Sequence, residues 1–224
     1  NMIAEIPPEI GLCIALQELD LSNNSMKHVP PELASCGMIQ NLDLRHNMIE
    51  GMFPDTIGLV ESLAKLDLSF NHVTALPEAI IGLKRLEILK AEHCQLSFLP
   101  TTLTDLNKLH FLELSNNRFT RFPIELSKLN SLKTLNMMNN AMDLLPRAID
   151  GMVGLERLDL SRNLLRALPV EFVRVIESVP EVDLGTNPWN ALPQKWGKLW
   201  LDRKATDARN GYNVADAVDF LYGM

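Results

Sequence analysis

The sequence is poor in the residues that most domains use as fixed points. Aromatics are only 6% of its 224 residues, and cysteine occurs three times, at positions 13, 36 and 94. An odd, unclustered set of cysteines excludes a disulfide framework and a cysteine metal cluster, and fits a reducing compartment, cytosol or nucleus. Cations are also short, 21 Lys and Arg against 28 Asp and Glu, for a formal net charge of −7. That balance excludes binding to a nucleic-acid backbone, which needs clustered positive charge. It suits a protein whose partner is basic or mixed in charge. No apolar run approaches the ~20 residues of a membrane span, so no membrane insertion is expected. The opening residues, 1–5, do not read as a secretory signal. There is no glycine-rich phosphate loop, no metal-spaced Cys/His group, and no cysteine or serine at nucleophile spacing from His46 or His93. The expectation is a non-enzyme without a cofactor.

What the sequence has is leucine at a fixed interval. The stretch Leu109-His-Phe-Leu-Glu-Leu-Ser-Asn-Asn117-Arg-Phe119-Thr-Arg-Phe122-Pro123 recurs along almost the whole chain. Its first apolar place is filled by Leu16, Ile39, Leu63, Leu86, Leu109, Leu132, Leu155 and Val179, at steps of 23 or 24 residues. Its Asn place is filled by Asn24, Asn47, Asn71, Cys94, Asn117, Asn140, Asn163 and Asn187. A period this regular is the mark of a stacked solenoid. Each segment of the type Leu66-Asp67-Leu68 alternates apolar and polar residues, which predicts a short strand with one buried face. The Asn side chain is expected to satisfy backbone groups where the chain leaves the strand. Cys94, in the same place, reads as a small buried packing residue. The Pro after each variable half, as in Leu76-Pro77, suits the first position of a helical turn. Cys13 and Cys36 occupy one place in successive repeats and are expected to be stacked core residues. The one-residue insertions near 51–54 and 172–177 are expected to form bulges absorbed in loops.

On these residues the chain resembles a leucine-rich-repeat protein over positions 1–193, and its 23-residue length and Leu-Pro ending are similar to the Ras-group repeats. The resemblance implies an α/β solenoid: a curved horseshoe with a concave parallel sheet and short helical or 3-10 turns on the convex side. It also implies work by binding other proteins, in small-GTPase-type signalling for that group. Secreted relatives usually carry cysteine-rich caps, which are absent here, and this again points to an intracellular protein. Residues 194–224, with Trp196, Trp200 and the one-faced set Val214, Ala217, Val218 and Leu221, read as a C-terminal helical cap. Asn1 to Pro7 match the second half of the template, so upstream chain or a partner is expected to cover the N-terminal sheet edge.

Positions between the leucines are free of core duty, so their composition carries information. One such column reads Asp20, Asp43, Asp67, Lys90, Glu113, Asn136, Asp159 and Asp183, an acidic stripe that would steer a basic partner. Apolar residues stand where water is expected: Phe70, the neighbours Ile88 and Phe111, and Met138. His46, Phe70 and His93 share a column in repeats two to four. Together with Arg45, Lys90 and Glu113 they make a candidate protein-binding patch on the concave face, with aromatic anchors and a charged rim. Two functions follow. One is a scaffold that docks a partner on this patch. The other is a structural subunit or arm of a larger assembly.

Overall fold

The computed structural model describes residues 1–152 and 154–190. Ten short strands occur among them: β1 (Glu18–Asp20), β2 (Asn41–Asp43), β3 (Glu50–Met52), β4 (Lys65–Asp67), β5 (His72–Ala75), β6 (Ile88–Lys90), β7 (Phe111–Glu113), β8 (Thr134–Asn136), β9 (Arg157–Asp159) and β10 (Glu181–Asp183). Eight of them form one parallel sheet, ordered β1-β2-β4-β6-β7-β8-β9-β10, with each repeat supplying one strand. Register is uniform, so that Leu42, Leu66, Leu89, Leu112, Leu135 and Leu158 pair along one row. Those six leucines are buried, and they form a spine with the leucines that begin and follow each strand. The acidic column stands at the third residue of each strand, one place after the paired leucine.

The opposite side is built of 3-10 turns, from Pro8–Leu12 in the first coil to Arg147–Gly151 in the seventh. Seven prolines precede them, at 7, 30, 54, 77, 100, 123 and 146, each in extended backbone just outside the turn. The expected place was one residue later. Proline acts here through its locked φ, and its carbonyl closes the turn, as Pro77 O does by accepting Ile80 N at 3.1 Å. Successive turns approach closely where glycine permits. A Cβ on Gly82 would lie 1.9 Å from Gly58 O.

Both insertions depart from expectation. The first is not absorbed in a loop: β3 and β5 pair as a separate two-stranded sheet whose register shifts at Gly51/Met52. Gly51 adopts φ +76°, a conformation that glycine takes without steric cost. The second turns the eighth 3-10 turn into an α-helix, α1 (Phe172–Ser178), with Phe172, Val175 and Ile176 buried on one face. Cys13 also departs, being exposed where Cys36 is buried: among the described residues its turn packs against the following turn, whereas that of Cys36 packs against a turn on either side. Cys36 Sγ donates to Ile10 O at 3.0 Å. Residues 194–224, and the cap expected there, lie outside the described residues.

The Asn column is the polar counterpart of the leucine spine. Asn71 Nδ2 donates to Leu44 O and Leu68 O, each at 2.9 Å, while its Oδ1 accepts Ile49 N at 3.0 Å. The first carbonyl and the amide belong to the preceding coil and the second carbonyl to its own, so each Asn clamps two coils. Asn47, Asn117, Asn140, Asn163 and Asn187 repeat the arrangement. Cys94 keeps one of these bonds, Sγ donating to Leu68 O at 3.3 Å. Burial pushes its thiol up to about 11, so it is an inert packing residue, as its sequence position suggested.

Asn71→Ala removes three hydrogen bonds: it leaves the Ile49 amide without its partner and leaves the Leu44 and Leu68 carbonyls with one donor fewer, Asn47 and Cys94 remaining. At about 1 kcal/mol for each of the three lost bonds, urea unfolding is expected to show a loss of roughly 3 kcal/mol. Cys94→Ala, which removes a single bond, is expected to lose less. Equal effects would show that the ladder does not clamp the coils. Gly82→Ala is expected to destabilise by about 1–3 kcal/mol, because the new methyl group meets backbone that cannot withdraw.

Candidate functional site on the concave sheet

Leaving the third strand residue, the chain takes two steps and then turns. At that turn one residue per coil has a left-handed backbone: Asn23, His46, Phe70, His93, Asn116, Asn139, Arg162 and Thr186, with φ between 49° and 58°. Asn and His take this conformation more readily than most residues, whereas a bulky side chain such as Phe70 costs roughly 1–2 kcal/mol there. His46, Phe70 and His93 occupy it in three coils running.

Because the coils are in register, those three rings stack. The His46 and Phe70 centroids are 4.3 Å apart at 13°, and the Phe70 and His93 centroids 4.6 Å apart at 18°. Phe70 nevertheless stays 37% exposed. The polar side of the column continues the ladder. His93 Nε2 is 3.8 Å from Glu92 Oε1, Asn116 Nδ2 donates to Glu92 at 3.4 Å, and Asn139 Nδ2 donates to Asn116 Oδ1 at 2.6 Å.

Two of the remaining candidates form a second cluster at the other end of the strands. Ile88 and Phe111 are direct register partners, both half-buried. Lys90 links the two clusters, with Nζ 6.0 Å from the Phe111 ring centroid and 4.0 Å from Asp67 Oδ2. Arg45 is turned back on its own coil, its Nε 3.1 Å from Asp43 Oδ2. Glu113 accepts Ser115 N at 2.8 Å and Asn136 Nδ2 at 2.9 Å. Met138 is half-buried two coils from His93, across Ser115, and does not join the stack. The sequence placed these residues on one face; the structure divides them into a stack, an apolar pair and a separate methionine.

The acidic column is less uniform than its composition. Each Asp uses Oδ1 to accept the amide two residues on, as Asp43 does from Arg45 at 3.0 Å and Asp67 from Ser69 at 3.0 Å. Bonds from Ser22 hold the Asp20 carboxyl below its usual range. Burial raises Asp43, with Asp67 and Asp20 adding repulsion, and burial also raises Glu113. Among the described residues no group of three or more His, Cys, Asp or Glu is placed to hold a metal ion, and no helix is long and apolar enough to cross a membrane.

One exposed row escaped the sequence reading. Met52 and Phe98, 63% and 57% exposed, stand one residue before their Phe-Pro or Leu-Pro pairs, and Leu144 stands at the same place two coils on. The row lies off the eight-stranded sheet.

A carboxyl raised by burial favours folding in its protonated form. Its stabilising contribution is therefore complete below the unfolded value and is lost as pH rises through the folded one. Carbon-detected NMR titration is expected to place Glu113 above 4.5 and Asp20 below 3.8. Glu113→Ala is expected to flatten the pH dependence of stability in the window just above 4.5. A Glu113 midpoint below the ordinary value would overturn the assignment to burial.

Comparison with known proteins agrees with this architecture. A family model described as leucine rich repeat matches residues 37–96 and 107–165, and a second of the same description matches 15–36. No curated protein matches the sequence. Among solved structures, a leucine-rich-repeat protein of Leptospira interrogans is 28% identical over 89% of this chain, with a TM-score of 0.68. PEPR1 in the PEPR1–AtPEP1 structure is 25% identical over 89% of the chain, with a TM-score of 0.76. The ectodomain of the plant membrane receptor kinase GASSHO1/SCHENGEN3 of Arabidopsis thaliana is 28% identical over 87%, with a TM-score of 0.63. The chain spans 62% of the length of the first and only 29% and 27% of the other two. With its leucine spine, Asn ladder and parallel concave sheet, this chain belongs to the leucine-rich-repeat family.

Proposed function

We propose that this chain is a non-catalytic docking module that holds another protein on its concave sheet, over the His46–Phe70–His93 stack and the Ile88–Phe111 pair. The observation that carries this reading is the backbone beneath the stack. Three successive coils place aromatic rings, exposed in part, at a left-handed position that suits Asn and that Asn fills in coils one, five and six. The Phe70 ring, kept there against backbone preference, serves something other than the fold. Two of the similar structures contain a named second component, AtPEP1 with PEPR1 and CASPARIAN STRIP INTEGRITY FACTOR 2 with GASSHO1/SCHENGEN3. Likeness to the Ras-group repeat supports a place in small-GTPase-type signalling. Three free cysteines, one of them exposed, support a reducing compartment.

A structural arm of a larger assembly is the second reading. It is favoured by the uncovered edge of β1 and by the exposed Met2, Leu12 and Ile14 of the first coil. Upstream chain or a partner that covered this edge would satisfy both.

The test pairs affinity with stability. A partner recovered by crosslinking is purified and titrated against the full chain and a Phe70→Ala, Phe111→Ala variant. The variant is expected to bind at least about thirtyfold more weakly, as the loss of anchor side chains implies. Its unfolding free energy is expected to stay within about 1 kcal/mol of the parent. A loss of several kcal/mol would assign the rings to the core, and unchanged affinity would place the partner elsewhere.

A further inference from the structure

Both faces of the Phe70 ring are covered by His46 and His93, at 4.3 and 4.6 Å, and these spacings leave no gap for another ring. The 37% of Phe70 that remains exposed is therefore ring edge. Aromatic edges carry the positive end of the ring quadrupole and favour the π-face of another ring over a cation. Three edges lie side by side on adjacent coils, a ribbon that a flat aromatic side chain matches across its length.

The charge beside the ribbon has the opposite preference. Asp43 and Asp67 lie three residues before His46 and Phe70, their Oδ1 atoms fixed by backbone amides and their Oδ2 atoms turned toward Arg45 and Lys90. Glu18, Asp20 and Glu92 adjoin them, as does Lys65, so this quarter of the sheet carries five carboxylates against three cations. The Asp43 carboxyl is raised by burial, against the lowering effect of Arg45, and Asp67 and Asp20 add a smaller push upward. Three residues of chain span at most ~10 Å, which an extended partner strand covers in two or three residues at ~3.3 Å each.

This inference rests on the docking surface described above and concerns what the docked segment carries. We propose that the surface takes an extended, basic segment of a partner protein. An aromatic side chain of that segment lies face-on across the His46–Phe70–His93 edges, and an Arg or Lys two or three residues away meets Asp43 and Asp67. The aromatic group supplies the edge-to-face contact, and the cation removes the local excess of negative charge.

Short fluorescein-labelled peptides in a Gly/Ser background, carrying one Trp and one Arg separated by two residues, test this by anisotropy against the full chain. Replacing Trp by Ala, or Arg by Glu, is expected to weaken binding at least about fivefold, the scale of one such contact. Phe70→Ala, and separately His46→Ala with His93→Ala, are expected to erase the preference for Trp. Asp43→Asn with Asp67→Asn is expected to erase the preference for Arg, with thermal melts verifying that each variant is folded. Equal binding of the Glu and Arg peptides, equal binding of the Ala and Trp peptides, or no binding by the series at about 1 mM, overturns the proposal. If those results accompany loss of the native partner by Phe70→Ala, Phe111→Ala, the docking surface stands and this partner class falls. If that variant retains the native partner, the docking surface falls as well.

Discussion

Every feature of this molecule depends on the in-register stacking of one coil on the next. A single coil cannot bury its leucines or satisfy the carbonyls at its turn. Its neighbour does both at once, covering the row of Leu42, Leu66 and Leu89 and offering carbonyls to Asn47 and Asn71. The apolar and polar rows reinforce each other. A coil that slipped by one residue would turn its leucines toward solvent and part its Asn from both partners.

The same constraint creates the candidate site. Equivalent residues of neighbouring coils lie a strand spacing apart, so a side-chain type repeated at one position becomes a continuous surface feature. Repetition of Asp there produces crowding, relieved by Arg45 and Lys90. Repetition of His, Phe and His produces a stack whose spacing is set by the sheet rather than chosen by the rings. Mutual stacking, worth about 0.5–1.5 kcal/mol per pair, offsets the roughly 1–2 kcal/mol backbone cost at Phe70, so the patch is near neutral for folding. A surface with little effect on stability is free to be shaped by binding.

Irregular coils show how much variation this frame absorbs. Cys94 stands in for Asn with one bond, since the coils on either side keep full clamps. The added residue near Gly51 is taken up where glycine permits a positive φ, and the one near Phe172 lengthens a 3-10 turn into a helix with the same inward face. Neither disturbs the eight-stranded sheet.

The sequence alone determined the solenoid, the strand positions, the buried leucines and the Asn column, because each follows from a period that any stacked chain must honour. It also showed which residues share a column, and so foresaw that His46, Phe70 and His93 are neighbours. Only the tertiary structure decided the rest. The left-handed backbone at that column, the parallel stacking that leaves ring edges outward, the turning of Arg45 onto Asp43 and the separation of Met138 depend on backbone angle and side-chain direction. A one-dimensional period specifies which residues align, whereas where they point is settled by the space that adjacent coils leave them.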